Sequence, residues 1–140
     1  MLDARLRNLI VMATVFGVGH HLDHVLRGNH VGWPITAQTT PFTYSLGFYP
    51  FVLLGWYLTR QGIVGAGFWS ILTTLGAIFV GVLHFGPFAV EPPSHILNFY
   101  QSHIAGWFAF AWLITFLILL ITTAAYGIVL WFKSRNKIAD

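Results

Sequence analysis

The chain has 140 residues, of which 56% are hydrophobic and 8% carry a charged side chain, and its formal net charge is +3. Soluble domains have about a quarter charged residues, so these few charges could not cover the surface of a soluble domain of this length. The composition therefore excludes a soluble globular protein and predicts one that is embedded in a membrane.

The residue types that are missing exclude several kinds of site. The chain has no cysteine, and its only two methionines are Met1 and Met12. Disulfides, iron–sulfur clusters, thiolate zinc sites and covalently attached haem are therefore excluded, as is a thioether site for Cu(I). The small net charge also argues against nucleic acid as a partner. Membrane lipid is the expected partner, with other membrane subunits as a further one.

Four segments are long and apolar enough to cross about 30 Å of hydrocarbon, which takes about 20 residues. They predict an all-α integral membrane protein, an up-down bundle of four transmembrane helices in a single domain that covers 1–140. Pro50 should kink the second helix. In the fourth, Ser94 is a suitable N-cap ahead of an apolar run that starts at Ile104. The predicted helices span about 6–26, 42–59, 63–85 and 95–132, and the outer loops are 27–41 and 86–94.

The basic residues predict the orientation of this bundle, because cytoplasmic loops are enriched in lysine and arginine. Six of them fall on one side of a four-crossing chain and only Arg27 falls on the other. Both termini are therefore predicted to be cytoplasmic, in a plasma (inner) membrane. An alternative for the run 9–19 is the apolar part of a secretory signal peptide. The six residues are Arg5, Arg7, Arg60, Lys133, Arg135 and Lys137.

All seven histidines fall on the opposite, extracytoplasmic half of the predicted bundle. On the first helix, His20, Asp23, His24 and Arg27 are spaced to lie on one face. Ionisable groups at this depth generally turn inward, towards partners, water or a ligand. The seven are His20, His21, His24, His30, His84, His95 and His103.

A metal centre is the leading hypothesis for these histidines. The end of the first helix, the end of the third and the start of the fourth share one level, so His20, His24, His84 and His103 are predicted to converge. Neutral imidazole suits Zn, Fe and Cu, and Asp23 can be a ligand or can orient an imidazole. The residues predicted to support or replace these ligands are His21, His30, His95, Glu91 and Arg27.

Three functions follow as hypotheses. The first is a transition-metal protein with its histidine cluster near the extracytoplasmic surface, acting as a membrane enzyme on a lipid-like substrate. The second is an electron carrier with haem b, for which nearby glycines would leave space. The third is an accessory subunit of a larger complex, with the histidines in a structural hydrogen-bond network. No motif identifies a reaction. The glycines are Gly17, Gly19, Gly81, Gly86 and Gly106.

Overall fold

A computed structural model describes residues 2–28, 36–87 and 89–139, with side chains as far as residue 136. The regular elements in these ranges are α-helices, as the sequence predicts. They are α1 (Ala4–Arg27), α2 (Pro41–Ser45), α3 (Phe48–Arg60), α4 (Ala66–Phe85), α5 (Pro93–Phe99) and α6 (His103–Ala139).

Among the described residues, three helices are long and apolar enough to cross a membrane. They are α1 with 24 residues, α4 with 20 and the part of α6 from His103 to Asn136 with 34. At about 1.5 Å per residue even α4 reaches about 30 Å, the thickness of the hydrocarbon core. Large apolar side chains face outward on these helices, including Leu26 at 73% and Ile104 at 83% exposure. Such a surface suits lipid as the surrounding solvent.

The second predicted membrane segment is a broken helix. α2 ends at Ser45, a turn follows at Leu46 and Gly47, and α3 continues from Phe48. The break lies four residues before Pro50, where the proline ring would clash with the carbonyl group of Leu46. With 13 residues, α3 is about 20 Å long and cannot cross the hydrocarbon alone. The described chain thus has three candidate spans, against the four predicted.

α6 is the central element, since both α1 and α4 pack along it. The core between them is apolar and includes Ala13, Val80, Leu113 and Phe116. α3 packs against α4, and the indole N–H of Trp69 donates to the hydroxyl group of Thr59 over 3.0 Å. α5 adds Ile96, which is fully buried in the same core. This places α5 across one end of the helices.

The other end of the bundle brings together the start of α1, the turn after α3 and the end of α6. Asp3 caps α1 by accepting from the N–H groups of Arg5 and Leu6, which lowers the pKa of its carboxyl group. The hydroxyl group of Tyr126 in α6 donates to the same carboxylate over 3.2 Å. The end of α1, the end of α4 and α5 therefore lie at the far end, with the histidines.

Candidate metal centre

Two of the histidines come from the last turns of α1. His20 and His24 are one helical turn apart, and both are buried. The helix ends at Gly28, whose φ of 88° is in the left-handed region that glycine adopts without strain. The Nε2 atoms of His20 and His24 lie 3.2 Å apart.

The third histidine comes from the last turn of α4. His84 is 1% exposed, and its ring centroid lies 5.1 Å from that of His20 and 5.9 Å from that of His24. Each of the three residues offers a ring nitrogen, and these nitrogens all lie within 4.8 Å of one another. Two separate helices therefore bring three buried imidazoles into one group.

The spacing of His20 and His24 matches that of imidazoles around one ion, and His84 lies somewhat farther from them. Tetrahedral zinc binds histidine nitrogen at about 2.0–2.1 Å, which puts two ligand nitrogens about 3.3 Å apart and their ring centroids about 5 Å apart. The observed nitrogen separation for His20 and His24 is 3.2 Å. The three centroid separations of 4.6, 5.1 and 5.9 Å lie on either side of the expected value.

Glu91 joins this group from the segment that precedes α5. Its backbone N–H donates to the carbonyl group of Leu83 over 3.1 Å, and its own carbonyl group accepts from Nδ1 of His84 over 2.8 Å. These two bonds hold Glu91 against the end of α4. Its buried carboxylate places Oε2 3.2 Å from Nε2 of His24 and 3.9 Å from Nδ1 of His84.

The bond from Nδ1 of His84 determines what that ring can present to an ion. A carbonyl oxygen can only accept, so Nδ1 carries the proton and Nε2 holds a lone pair. Metal-binding histidines usually donate their other ring N–H to a carbonyl or carboxylate group in this way, which fixes the ring and the tautomer.

A series of interacting charged side chains connects the histidines to the edge of the bundle. Arg27 is 3% exposed and forms ion pairs with Glu91 and with Asp23, the latter at 2.7 Å. The hydroxyl group of Tyr100 donates to the other oxygen of Asp23. Burial, followed by this hydrogen bond, raises the pKa of Tyr100 to about 12. Both oxygens of Asp23 therefore bind Arg27 and Tyr100, and neither binds a histidine ring.

His21 points away from the three clustered rings, towards α2 and α3. Its Nδ1 lies 2.9 Å from the carbonyl oxygen of Gly17 and 2.7 Å from the hydroxyl group of Tyr49. Its Nε2 lies 2.8 Å from the hydroxyl group of Ser45. His21 thus connects α1 with the broken second segment.

The remaining predicted ligands do not join the group, or lie outside the described residues. His103 is the first residue of α6 and has an exposed side chain, and His95 is exposed on α5. The geometry gives no support to His103 as a fourth ligand. α5 packs tightly against the first turn of α6, since a Cβ at Gly106 would lie 2.7 Å from the carbonyl oxygen of Leu97. His30 lies outside the described residues.

An elongated cavity begins at the histidine group and runs between α1, α3 and α4. Its volume is about 100 Å³. For comparison, one water molecule needs about 10–15 Å³ of the same kind of volume. The cavity therefore has room for several water molecules. Its polar lining comes from His20, His21, His24, His84, Ser45 and Tyr49, and its far end is lined by Ile10, Val52, Trp69, Leu72 and Leu120.

The glycines predicted to leave space for a haem mostly pack against other residues. A Cβ at Gly17 would lie 3.1 Å from the ring of Phe116, and one at Gly19 would lie 2.5 Å from the indole of Trp112. The space beside Gly106 is occupied in the same way by Leu97. Gly17, Gly19 and Gly106 therefore do not leave space for a macrocycle, and the haem hypothesis finds no support here.

The sequence indicated Glu91 only as an alternative ligand and gave no role to Tyr100. It indicated Ser45 and Tyr49 only as groups for hydrogen bonds between helices. Glu91 and Tyr100 lie on either side of α5, in segments without helical periodicity, so no spacing rule places them. A usable signal existed for Glu91, because a carboxylate among apolar residues at membrane level needs a partner. No sequence pattern predicted that Tyr49 would lie next to a histidine.

Comparisons with protein-family models, with curated proteins and with solved structures find no match to this chain. The geometry of the site is therefore the only guide to its function.

Proposed function

We propose that this protein is a membrane metalloprotein in which His20, His24 and His84 hold one transition-metal ion. Glu91 is its fourth ligand or the hydrogen-bond partner of a metal-bound water molecule. The observation that carries the proposal is the convergence of three buried ring nitrogens within 4.8 Å. Zn, Fe and Cu all accept such imidazole ligands.

A carboxylate beside the three rings favours a bound cation. Oε2 of Glu91 lies 3.2 Å from Nε2 of His24 and 3.9 Å from Nδ1 of His84. Imidazole nitrogen and carboxylate oxygen are both ligands of divalent transition metals.

A purely structural network explains the geometry less completely. A hydrogen bond between His20 and His24 uses one N–H group and one lone pair at 3.2 Å. His84 would keep the lone pair of Nε2, because its Nδ1 proton goes to the carbonyl group of Glu91. A metal ion would use all three lone pairs at once.

The cavity beside the metal centre supports an enzymatic role. An ion with three protein ligands and an open position can activate a water molecule or polarise a carbonyl group. The apolar cavity begins at the same rings, so a lipid-like substrate could reach that position. We place the centre on the extracytoplasmic side of the plasma membrane, because every lysine and arginine except Arg27 lies at the other end of the helices.

Metal analysis of protein purified with a tag that contains no histidine tests the proposal. Wild-type protein and the control His95→Ala, which changes an exposed histidine, should contain stoichiometric metal. His24→Ala and His84→Ala should lose it. Equal metal content in all four, or none in the wild type after loading with Zn²⁺, Fe²⁺ or Cu²⁺, would contradict the proposal.

Two further readings of the same preparation separate the alternative functions. A Soret band in the absorption spectrum would indicate haem b instead of a simple ion. Membrane subunits that co-purify with metal-free wild-type protein would favour the accessory-subunit hypothesis.

A further inference from the structure

The interior of the cavity, beyond the histidine rings, offers few partners to a water molecule. Thr14 and Thr73 line it, and each hydroxyl group donates to a backbone carbonyl group of its own helix over 2.8 Å. The indole N–H of Trp69 is also used, because it donates to the hydroxyl group of Thr59. The other described side chains in this part of the lining are apolar. Buried water typically makes about three hydrogen bonds, so this space favours an apolar occupant.

The polar side chains nearer the rings bind one another. The ring nitrogens of His21 lie 2.8 Å from the hydroxyl group of Ser45 and 2.7 Å from that of Tyr49. Ser45 also donates to the carbonyl group of Phe42 over 2.7 Å. The remaining polar lining is the cluster of three histidines that we assign to the metal ion. Away from that cluster, the cavity therefore has the character of a cavity in an apolar core.

The volume of the cavity limits its occupant to a small molecule. An engineered apolar cavity of about 150 Å³ stays free of water and binds benzene or xenon. The cavity described here has about 100 Å³, about two thirds of that volume. A diatomic molecule or a xenon atom is smaller than benzene, so either one fits.

The position of the cavity gives a small apolar molecule a route from the lipid to the metal centre. One face of α3 lines the cavity through Phe48 and Val52. Elsewhere on the same helix Phe51 and Leu53 are 56% and 70% exposed, a surface that suits lipid. Dioxygen dissolves better in hydrocarbon than in water. A molecule of dioxygen in the membrane therefore has one helix to pass before it reaches the cavity.

We propose that the cavity binds dioxygen, taken up from the hydrocarbon of the membrane, beside the ion held by His20, His24 and His84. The inference rests on the proposed function and deepens it, because it names a small molecule that would meet the metal ion there. Histidine and carboxylate ligands with open positions are typical of non-haem iron sites that use dioxygen, whereas zinc has no redox chemistry. The inference therefore favours Fe or Cu over Zn at the centre.

Xenon tests the cavity independently of the metal, because it is apolar, small and easily located by X-ray diffraction. Crystals of the wild-type protein are pressurised with xenon, and the sites are read from the electron density. We expect xenon between α1, α3 and α4, next to Ala13 and Gly76, which line the cavity. Ordered water in place of xenon, or xenon at the lipid-facing surface alone, would overturn the proposal.

A larger side chain at Ala13 tests whether the cavity is the binding site. Ala13 is buried in α1 and lines the cavity, so Ala13→Leu should fill much of the space and xenon should be lost. Ala111→Leu is the matched control, because it adds the same atoms to an exposed position of α6, and it should keep xenon. Val52→Phe fills the cavity from α3 and gives a result even if Ala13→Leu fails to fold. Wild-type xenon occupancy in both filled variants would contradict the inference.

Nitric oxide tests the choice of dioxygen, because it is a similarly small diatomic molecule that binds Fe²⁺ without oxidising it. In protein loaded with Fe²⁺, the absorption change on mixing with nitric oxide gives the rate of binding. This rate should be lower in Ala13→Leu than in the wild type and in Ala111→Leu. Equal rates in all three, or no binding in the wild type, would refute the assignment of dioxygen to the cavity.

Metal content of the same samples separates this inference from the proposed function. Bound metal without xenon in the cavity would reject the inference and leave the metal centre. Xenon in the cavity of a protein that binds no metal would reject the metal centre. A protein that retains Zn²⁺ but neither Fe²⁺ nor Cu²⁺ would keep the metal centre and reject dioxygen as its ligand.

Discussion

Oε2 of Glu91 lies 3.2 Å from Nε2 of His24, and the other oxygen of the same carboxylate forms an ion pair with Arg27. One buried side chain thus connects the cluster of three histidines to the charged residues at the end of the bundle. Its position depends on backbone bonds to the end of α4. Glu91 is therefore the residue at which metal binding and fold stability should be linked.

Glu91→Gln should weaken metal binding and destabilise the fold together. The loss of a carboxylate beside a metal-bound imidazole typically costs 10–100-fold in metal affinity. Arg27 would also lose one of its two partners, and breaking a buried ion pair costs about 3–5 kcal/mol. A competition titration with a zinc-binding dye measures the first effect, and thermal unfolding measures the second.

Asp23→Asn is the matched control for this variant. It removes the other partner of Arg27 but leaves the residues around the three rings unchanged. We expect a loss of stability with a smaller change in metal affinity. If both variants bind zinc as tightly as the wild type, Glu91 has no part in the metal centre.

Tyr100→Phe should change how stability depends on pH. The folded protein holds the pKa of Tyr100 at about 12, above its ordinary value of 10.0, so its contribution to stability is complete below about pH 10 and is lost between about pH 10 and 12. The wild type should be more stable than Tyr100→Phe near pH 9, and this difference should shrink as the pH rises towards 12. Unfolding at a series of pH values measures it.

A difference in stability that stays constant over that range would show that Tyr100 ionises in the folded protein as it does in the unfolded chain. Tyr126→Phe is a suitable control, because its hydroxyl group donates to Asp3 at the opposite end of the bundle. It should leave metal content unchanged.

The sequence predicts three of the membrane segments because length and apolar content alone decide them. The second segment has the same length and composition, but Pro50 interrupts it and the chain turns at Leu46 and Gly47. Whether a proline only bends a helix or breaks it depends on what the neighbouring helices can satisfy. The sequence of the segment itself does not contain that information.

The positions of the three clustered histidines could be predicted where they depend on helix geometry. His20 and His24 share a face by their spacing, and His84 ends an antiparallel helix at the same level. The same counting treated His103 as equivalent, whereas its side chain is exposed at the start of α6. Counting along the chain did not include α5, which packs Ile96 into the core ahead of α6. Glu91 depends on the path of an irregular segment, which no periodicity describes.

Gly19→Ala should destabilise the fold, because this glycine provides the space for Trp112. A Cβ at Gly19 would lie 2.5 Å from the indole ring, whose N–H donates to the carbonyl group of Phe16 over 2.9 Å. Overpacking of this kind costs about 1–3 kcal/mol. Thermal unfolding of the purified protein measures the loss.

Gly81→Ala provides the comparison, since nothing lies within 4 Å of the added Cβ. Its higher helix propensity should leave stability unchanged or raise it by up to about 1 kcal/mol. Equal effects of the two substitutions would show that the contact between Gly19 and Trp112 does not constrain the packing.

Single cysteines can test the predicted orientation, because the chain has none of its own. Gln61 and Ser134 are exposed at the end of the bundle that carries the start of α1, and Ser94 is exposed at the histidine end. The positive-inside rule places the first two sites in the cytoplasm. In intact cells an impermeant maleimide should therefore label Ser94→Cys alone, and Gln61→Cys and Ser134→Cys should react only after permeabilisation. The reverse pattern would place the metal centre on the cytoplasmic side, and labelling of Gln61→Cys without Ser134→Cys would show that the broken segment does not return the chain across the membrane.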